Sequence, residues 1–373
     1  MSAAAPMNSE AAECGCAPGD KVILPFLAEP PVATYNYPAF LLGAVLASHP
    51  ANQNFLHNSY IQLSSTSIYS RSHPLAFVPA MGVDETPSIE AGRIEVVRPA
   101  NPDEVEKIVI AALRSGRYAR VVLDEFYLPE KLAYQRIHFI HDNLIYGYCG
   151  TCRTAFIAGY RGTKAHGTAA QRVSRFGLSA CPLASLGTAI FSRPDGPEPK
   201  FLQDQIALFD PAGSAQPLDI AFIKVQLEAY LASRHDPAPY AAKGYPDRAI
   251  TPWPGITSVS TYGLGIYQSL VDFTLADRAG GPPLDLKPYR LLWEHKAAMS
   301  RRVLALADHL GSAPLRALHP GFAGLENRAN QIRMESGFYR ANPRPEALPR
   351  IAALLSSLRE AEENLLTQLV SAL

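Results

Sequence analysis

Two histidines three residues apart, His138 and His141, stand in the block 124–160, DEFYLPEKLAYQRIHFIHDNLIYGYCGTCRTAFIAGY, together with Asp124, Tyr127, Asp142 and the pair Cys149 and Cys152. Imidazole is the side chain best suited to proton transfer near neutral pH, and a neighbouring carboxylate fixes its tautomer. His141 lies just before an apolar run, Asn143 to Tyr148, that reads as a strand entering a hairpin. A rigid strand end of this kind holds a base against a nucleophile at a helix N-terminus, where the macrodipole lowers the nucleophile's pKa. The spacing of His138 and His141 would also suit a metal on one helix face, but the sequence offers no third ligand, and no metal is expected. Cys149-Gly-Thr-Cys152 has the form of a redox pair or half a zinc site. It falls in a hairpin turn without a second C-x-x-C, so it reads as a turn with incidental thiols, and Cys14 and Cys16 lie in a tail.

The elements that must position these groups follow from periodicity and caps. Ala39 to Ala47 is an apolar run that predicts a buried helix with Pro38 in its first turn. Residues 94–98 read as a strand. Asn101-Pro102 is an N-cap followed by Pro, after which Val105, Ile108, Val109, Ala112 and Leu113 recur at helical spacing until Gly116. Arg120 to Asp124 reads as a strand, Pro129 to Ile140 as a helix, and Thr154 to Tyr160 as the hairpin partner of Asn143 to Tyr148. Beyond a Pro/Gly-rich stretch at 192–201 the pattern turns helical over Ile220–Ser233, Leu264–Leu275, Leu286–Leu310 and Leu348–Leu369. The expected fold class is α+β: an antiparallel sheet backed by helices over residues 21–195, then an all-helical domain over 196–373. Residues 1–20 are expected to form a disordered tail.

Composition narrows the function classes. The chain of 373 residues balances 34 Lys and Arg against 34 Asp and Glu, and this neutrality argues against nucleic acid, which is bound through clustered cations. No window of about 18 apolar residues is present, so a membrane span is not expected. The first twenty residues lack a secretory pattern, and five cysteines without one predict a reducing, cytoplasmic setting with free thiols.

The central block resembles the N-terminal domain of butirosin-type acyl-carrier-protein acyltransferases, relatives of double-glycine leader peptidases. The residues that carry the resemblance are Asp124, Phe126, Tyr127, Pro129, His138, His141 and Gly147-Tyr148. Weaker similarity extends to Asn58-Ser-Tyr-Ile-Gln-Leu63 and Trp293-Glu-His-Lys296, and the overlap covers most of residues 20–310. The resemblance implies a papain-like, cysteine-peptidase-type fold. It also implies a place in nonribosomal peptide or polyketide biosynthesis, with transfer of an acyl group from a carrier-protein thioester to an amine or hydroxyl acceptor and no cofactor.

Two departures shape the expected mechanism. The family's nucleophilic Cys would open the first core helix, where this chain has Tyr35-Asn36-Tyr37; its third triad member would fall near Ala158-Gly159-Tyr160. Without a nucleophile, His141 is expected to act as general base for direct aminolysis, oriented by Asp124 or Asp142. Tyr37, Asn36 and Gln62 are the candidate oxyanion or substrate donors, and Tyr127 and His138 are assigned to the substrate. Glu294 and Lys296 are expected at the surface or between domains. An acidic carrier protein would need a local basic patch around Arg161, Lys164 and Arg172. The alternatives are a catalytically silent relative that binds a synthetase, carrier protein or product, and a cysteine peptidase.

Overall fold

Pairing in the computed structural model builds two antiparallel sheets, and each belongs to its own part of the chain. The structure describes residues 20–65, 75–79, 94–163, 173–192, 205–211, 216–245, 261–276 and 284–373. The expected tail, apart from Asp20, lies outside them, as do Lys164 and Arg172. The chain divides into two compact units: residues 1–50, 82–84 and 88–214 in the first, and 51–81, 85–87 and 215–373 in the second.

The first unit is built on β1 (Lys21–Ile23), β4 (Glu95–Val97), β5 (Tyr118–Asp124), β6 (Ile140–Cys149), β7 (Thr154–Thr163), β8 (Val173–Pro182) and β9 (Ile206–Phe209). Their order is β4-β9-β5-β6-β7-β8, with β1 pairing the far end of β6. Because β9 is hydrogen-bonded between β4 and β5, this unit runs past the boundary expected at residue 195. Helix α1 (Asn36–Ser48) is buried from Pro38 through Leu46, as its unbroken apolar run demands. Helix α3 (Pro102–Arg114) starts as its sequence predicts, with Asn101 Oδ1 accepting from Glu104 N at 3.0 Å and Pro102 at the first position. Its Val105, Val109, Ala112 and Leu113 join Leu183, Leu186, Ala189 and Ile190 of α4 (Leu183–Phe191) in one core with Val121, Leu123, Ile145 and Ile157 of the sheet.

The helix predicted over Pro129–Ile140 does not form. Residues 128–136 are turns and 137–139 are irregular, with Glu130 at φ 66° and Gln135 at φ 50°, conformations that end any α-helix. The turns drive the Lys131 side chain into the interior, where it is 1% exposed.

The second unit holds α2 (Gln53–Asn58), β2 (Gln62–Ser65), β3 (Ala76–Val78), α5 (Ile220–Leu231), α6 (Ala238–Ala242), β10 (Thr261–Tyr262), α7 (Ile266–Leu275), α8 (Lys287–Leu310), α9 (Ala313–Ala341) and α10 (Ala347–Ala372). It is largely helical but not all-helical, since β10, β2 and β3 form a three-stranded antiparallel sheet that draws residues 51–81 into this unit. Helix α9 carries an interior proline, Pro320, and so escapes a reading by periodicity. Gly311, left-handed at φ 60°, ends α8, and the Ser312 hydroxyl caps α9.

Buried charge organises this unit. Lys296, expected at a surface, is fully buried, 2.5 Å from Glu362 Oε1 and 3.0 Å from His295 Nδ1; the Tyr267 hydroxyl donates to Glu362 Oε2 at 2.7 Å. Glu294 is also buried and accepts from Arg290 Nε at 3.0 Å. Arg302 donates to the carbonyls of Leu56, His57 and Ser59 at 3.0, 2.7 and 2.6 Å, supplying partners to the last turn of α2 and the residue beyond it. Burial alone pulls its guanidinium down to about 9.

Replacing Arg302 by Met leaves those carbonyls buried and unpaired, and should cost ~3 kcal/mol or more. Both tryptophans, Trp253 and Trp293, belong to this unit by residue number, so tryptophan-monitored urea unfolding reads the loss directly. The same assay reads an acid effect. Burial, reinforced by Arg302, lowers His57 from 6.5 to about 4, and burial with Lys296 also lowers His295. Both rings therefore stay neutral when folded and take up protons on unfolding. Stability is full above pH 6.5 and falls as the pH drops towards 4, by about 1.4 kcal/mol per pH unit for each histidine. A flat urea midpoint between pH 7 and 5 would contradict this. In His57→Gln the slope should be shallower.

Candidate active site

The groups singled out in the central block converge because β5 and β6 pair in one register: Leu123 opposite His141 and Asp124 opposite Ile140. That ladder sets the end of β5, with Asp124 and Glu125, against the entrance of β6, with His138 to His141. The start of α1 reaches the same place through Asn36, which is 6% exposed.

Asn36 Nδ2 donates to the Asp142 carbonyl at 2.8 Å and lies 3.1 Å from His141 Nδ1. A carbonyl oxygen only accepts, so the first contact fixes which end of the amide is nitrogen. The second N–H therefore meets Nδ1 as an acceptor, and the neutral His141 ring carries its proton on Nε2. The imidazole is stacked on Phe139 at 5.2 Å, meets Tyr160 edge-on at 6.3 Å, and is one-third exposed. The Asn36 amide oxygen is buried without a hydrogen-bond partner.

Asp124, expected to orient His141, is engaged elsewhere. Its Oδ1 accepts from the backbone N–H of Phe126 and of Phe139, both at 3.1 Å, and its Oδ2 lies 2.6 Å from Nδ1 of His138. The carboxylate is fully buried, while the His138 side chain is 42% exposed. An extended approach to β6 replaces the expected helix, so His138 and His141 do not share a helix face. Asp142 meets Asn36 through its main chain.

A charge pair that the sequence does not announce lies beside His141. Glu125 Oε1 is 3.7 Å from His141 Nδ1 and 3.4 Å from Lys131 Nζ, at ion-pair distance but outside hydrogen-bond geometry. Lys131 donates to Asn143 Oδ1 at 2.5 Å and to the Tyr160 carbonyl at 2.8 Å. Burial lowers the lysine's pKa, and Glu125 opposes that shift. Gly159 leaves room for the cluster, since a Cβ there would come within 3.0 Å of Lys131 Nζ. The available signal was a polar residue, Asn143, within a strand whose next six residues are buried, and a lone lysine in the preceding turn.

The remaining candidates are placed as follows. Tyr37 is half-buried and stacked on Tyr35 at 5.6 Å. The Tyr127 hydroxyl donates to the Ser192 carbonyl at 3.3 Å, and its ring lies 6.1 Å from that of His138. Gln62 belongs to the second unit, where its fully buried amide donates to the Arg234 carbonyl at 2.8 Å and accepts from Leu63 N at 3.1 Å, so both ends are used internally. Arg161 donates to the Leu178 carbonyl at 3.0 Å. Cys149 is buried at the opposite end of β6, about 25 Å along the strand from His141, and Cys152 is exposed in the turn. Burial pushes the Cys181 thiol up to about 12, which removes it as a thiolate nucleophile. Cys14 and Cys16 lie outside the described residues. Among the described residues no cluster of three or more His, Cys, Asp or Glu is arranged to hold a metal, and no helix is long and apolar enough to cross a membrane.

No protein-family model matches the chain, and no curated protein matches it significantly. The chemistry of the site is therefore argued from its own atoms. They provide one imidazole with a proton on Nε2, a second held by a carboxylate, and no described cysteine at either.

Replacing Lys131 by Met strands the Glu125 carboxylate in the interior, and should cost about 3–5 kcal/mol. Adding Glu125→Gln should restore part of that loss. Urea unfolding of the two single variants and the double variant gives the coupling, and additive losses would show that the two charges do not depend on each other.

Proposed function

We propose that this chain is an acyltransferase-like enzyme of nonribosomal peptide or polyketide assembly, with a papain-like first unit. It passes an acyl group from a carrier-protein thioester to an amine or hydroxyl acceptor by direct attack of the acceptor, without an acyl-enzyme. The observation that carries this reading is Asn36. It opens the first core helix, where a papain-like enzyme places its nucleophile, and it hydrogen-bonds the strand-entrance histidine as that nucleophile would. An amide cannot be acylated and released in the manner of a thiol, so a reaction here must be a direct displacement.

The chemistry needs few groups. The acceptor's nitrogen or oxygen forms a bond to the thioester carbon, the carbonyl oxygen becomes an oxyanion, and the C–S bond then breaks to release the carrier thiol. Asn36 holds His141 in the tautomer with its proton on Nε2, so His141 serves as hydrogen-bond donor to the oxyanion rather than as the base its strand position suggested.

A second reading, a silent relative that binds carrier protein or product, draws on the same observation, because losing the nucleophile also disables the family's covalent chemistry. The cysteine-peptidase alternative gains nothing from Cys149 or Cys181, which are buried away from this role.

The test is transfer from acyl-loaded carrier protein to a panel of amines, followed by mass spectrometry. Wild type should form product without a covalent intermediate, and its transfer activity should survive iodoacetamide. Asn36→Cys sets a thiol at the helix start against His141, and should accumulate an acyl adduct at residue 36 and lose activity on alkylation. In His141→Ala transfer should fall about 10²–10³-fold, the usual cost of one oxyanion donor. An intact thioester with every donor and acceptor would favour the silent reading.

A further inference from the structure

Direct displacement requires a proton acceptor, and His141 has no lone pair at Nε2 to provide one. We propose that His138, held by Asp124, is that acceptor: a general base distinct from His141, with its lone pair on Nε2. This deepens the reading above and rests on it for the identity of the substrate, but not for the chemistry of the dyad.

The argument begins with the buried carboxylate. Capping the turn after β5 and tying down Phe139 occupy only Oδ1 of Asp124. Oδ2 is left, and it is spent on the imidazole of an exposed side chain at 2.6 Å. A carboxylate accepts, so Nδ1 of His138 carries the proton and the neutral ring has its lone pair on Nε2. Backbone donors hold the carboxylate, and Phe126, stacked at 4.4 Å and 20°, holds the plane of the ring. A histidine kept only for structure would gain little from this arrangement, because 42% of its side chain remains exposed. Fixing one nitrogen while presenting the other is how an orienting acid prepares an imidazole base. Asp124 is the positioning residue. The flanking Ile137 and Phe139 are 60% and 47% exposed, so the base stands between two apolar residues in sequence.

The step balances without a further reactant. As the acceptor's N–C or O–C bond forms, its proton moves to His138 Nε2. As the C–S bond breaks, the imidazolium returns that proton to the departing thiolate, so carrier thiol and amide or ester are the products.

Two measurements test the dyad, and neither needs the natural substrate. Two-bond couplings in ¹⁵N-histidine spectra of the whole chain should show His138 protonated at Nδ1 and His141 protonated at Nε2. Hydrolysis of p-nitrophenyl acetate, with water as acceptor, should fall at least tenfold in His138→Gln, with loss of the ascending limb of its pH–rate profile. Asp124→Asn should follow it. The exposed His138→Gln variant keeps the test valid if Asp124→Asn fails to fold. A proton on His138 Nε2, or equal hydrolysis by wild type and His138→Gln, overturns the dyad. A protein that leaves carrier thioesters intact yet hydrolyses the ester through His138 overturns the substrate reading and retains the dyad. Where carrier transfer is seen, it should drop about 10²–10⁴-fold in His138→Gln.

Discussion

The antiparallel ladder between β5 and β6 sets the position of every group in the candidate site. Six consecutive pairs, from Ala119 opposite Ile145 to Asp124 opposite Ile140, leave no freedom of register. A slip of one residue would turn Leu123 out of the core and carry His141 to the other face. The end of that ladder brings two acidic residues to two histidines. Asp124 closes β5 and Glu125 opens the tight turn that follows it, and the two are drawn to different partners, one to His138 and the other towards His141 and Lys131. The division of labour between the histidines thus follows from where the strand gives way to the turn.

Buried charge is the second constraint, and each unit meets it differently. In the first, Lys131 is satisfied by an amide and a carbonyl, with Glu125 at longer range. In the second, Lys296 meets Glu362 directly, and the remaining atoms of the pair are taken by tyrosine hydroxyls and a neutral histidine. Arg302 has backbone carbonyls as its oxygen partners, so its charge closes the end of a six-residue helix that could not stand alone in water. Such groups are costly unless complete, and each therefore fixes one arrangement of the chain around it.

The sequence was legible where local signals agree with burial. Asn101-Pro102 capped a helix with a clear apolar stripe, and the buried run after Pro38 could form little else. It misled where one tertiary contact outweighed propensity. Pro129–Ile140 has helical composition, but two left-handed residues and the inward pull on Lys131 turn it into a series of bends. Helix α9 hid behind Pro320, because packing against α8 and α10 offsets a lost hydrogen bond that periodicity alone cannot. Asp124, His138 and His141 stood out in the sequence by residue type and neighbourhood and Asn36 by the resemblance, and the structure brings them to one end of the ladder. Which acid served which histidine was not legible, because that choice depends on where β5 ends and the turn begins rather than on distance along the chain.

On the proposed acyltransferase reading, that pairing also explains how a site without a nucleophile would still have chemistry to do. In a covalent enzyme one imidazole takes the thiol's proton and later returns it, so removing the thiol removes its task. Here Asn36 fixes His141 as a donor at Nε2 through a bond no thiol could make, since the amide spans Nδ1 and a main-chain carbonyl at once. Asp124 fixes His138 in the opposite tautomer. A decayed site would be expected to lose such constraints first, because holding a buried carboxylate against a half-exposed ring contributes little to stability. Two histidines of opposite tautomer, each locked by a different polar group, provide both a donor and an acceptor of protons, the two functions that the proposed displacement at a thioester requires.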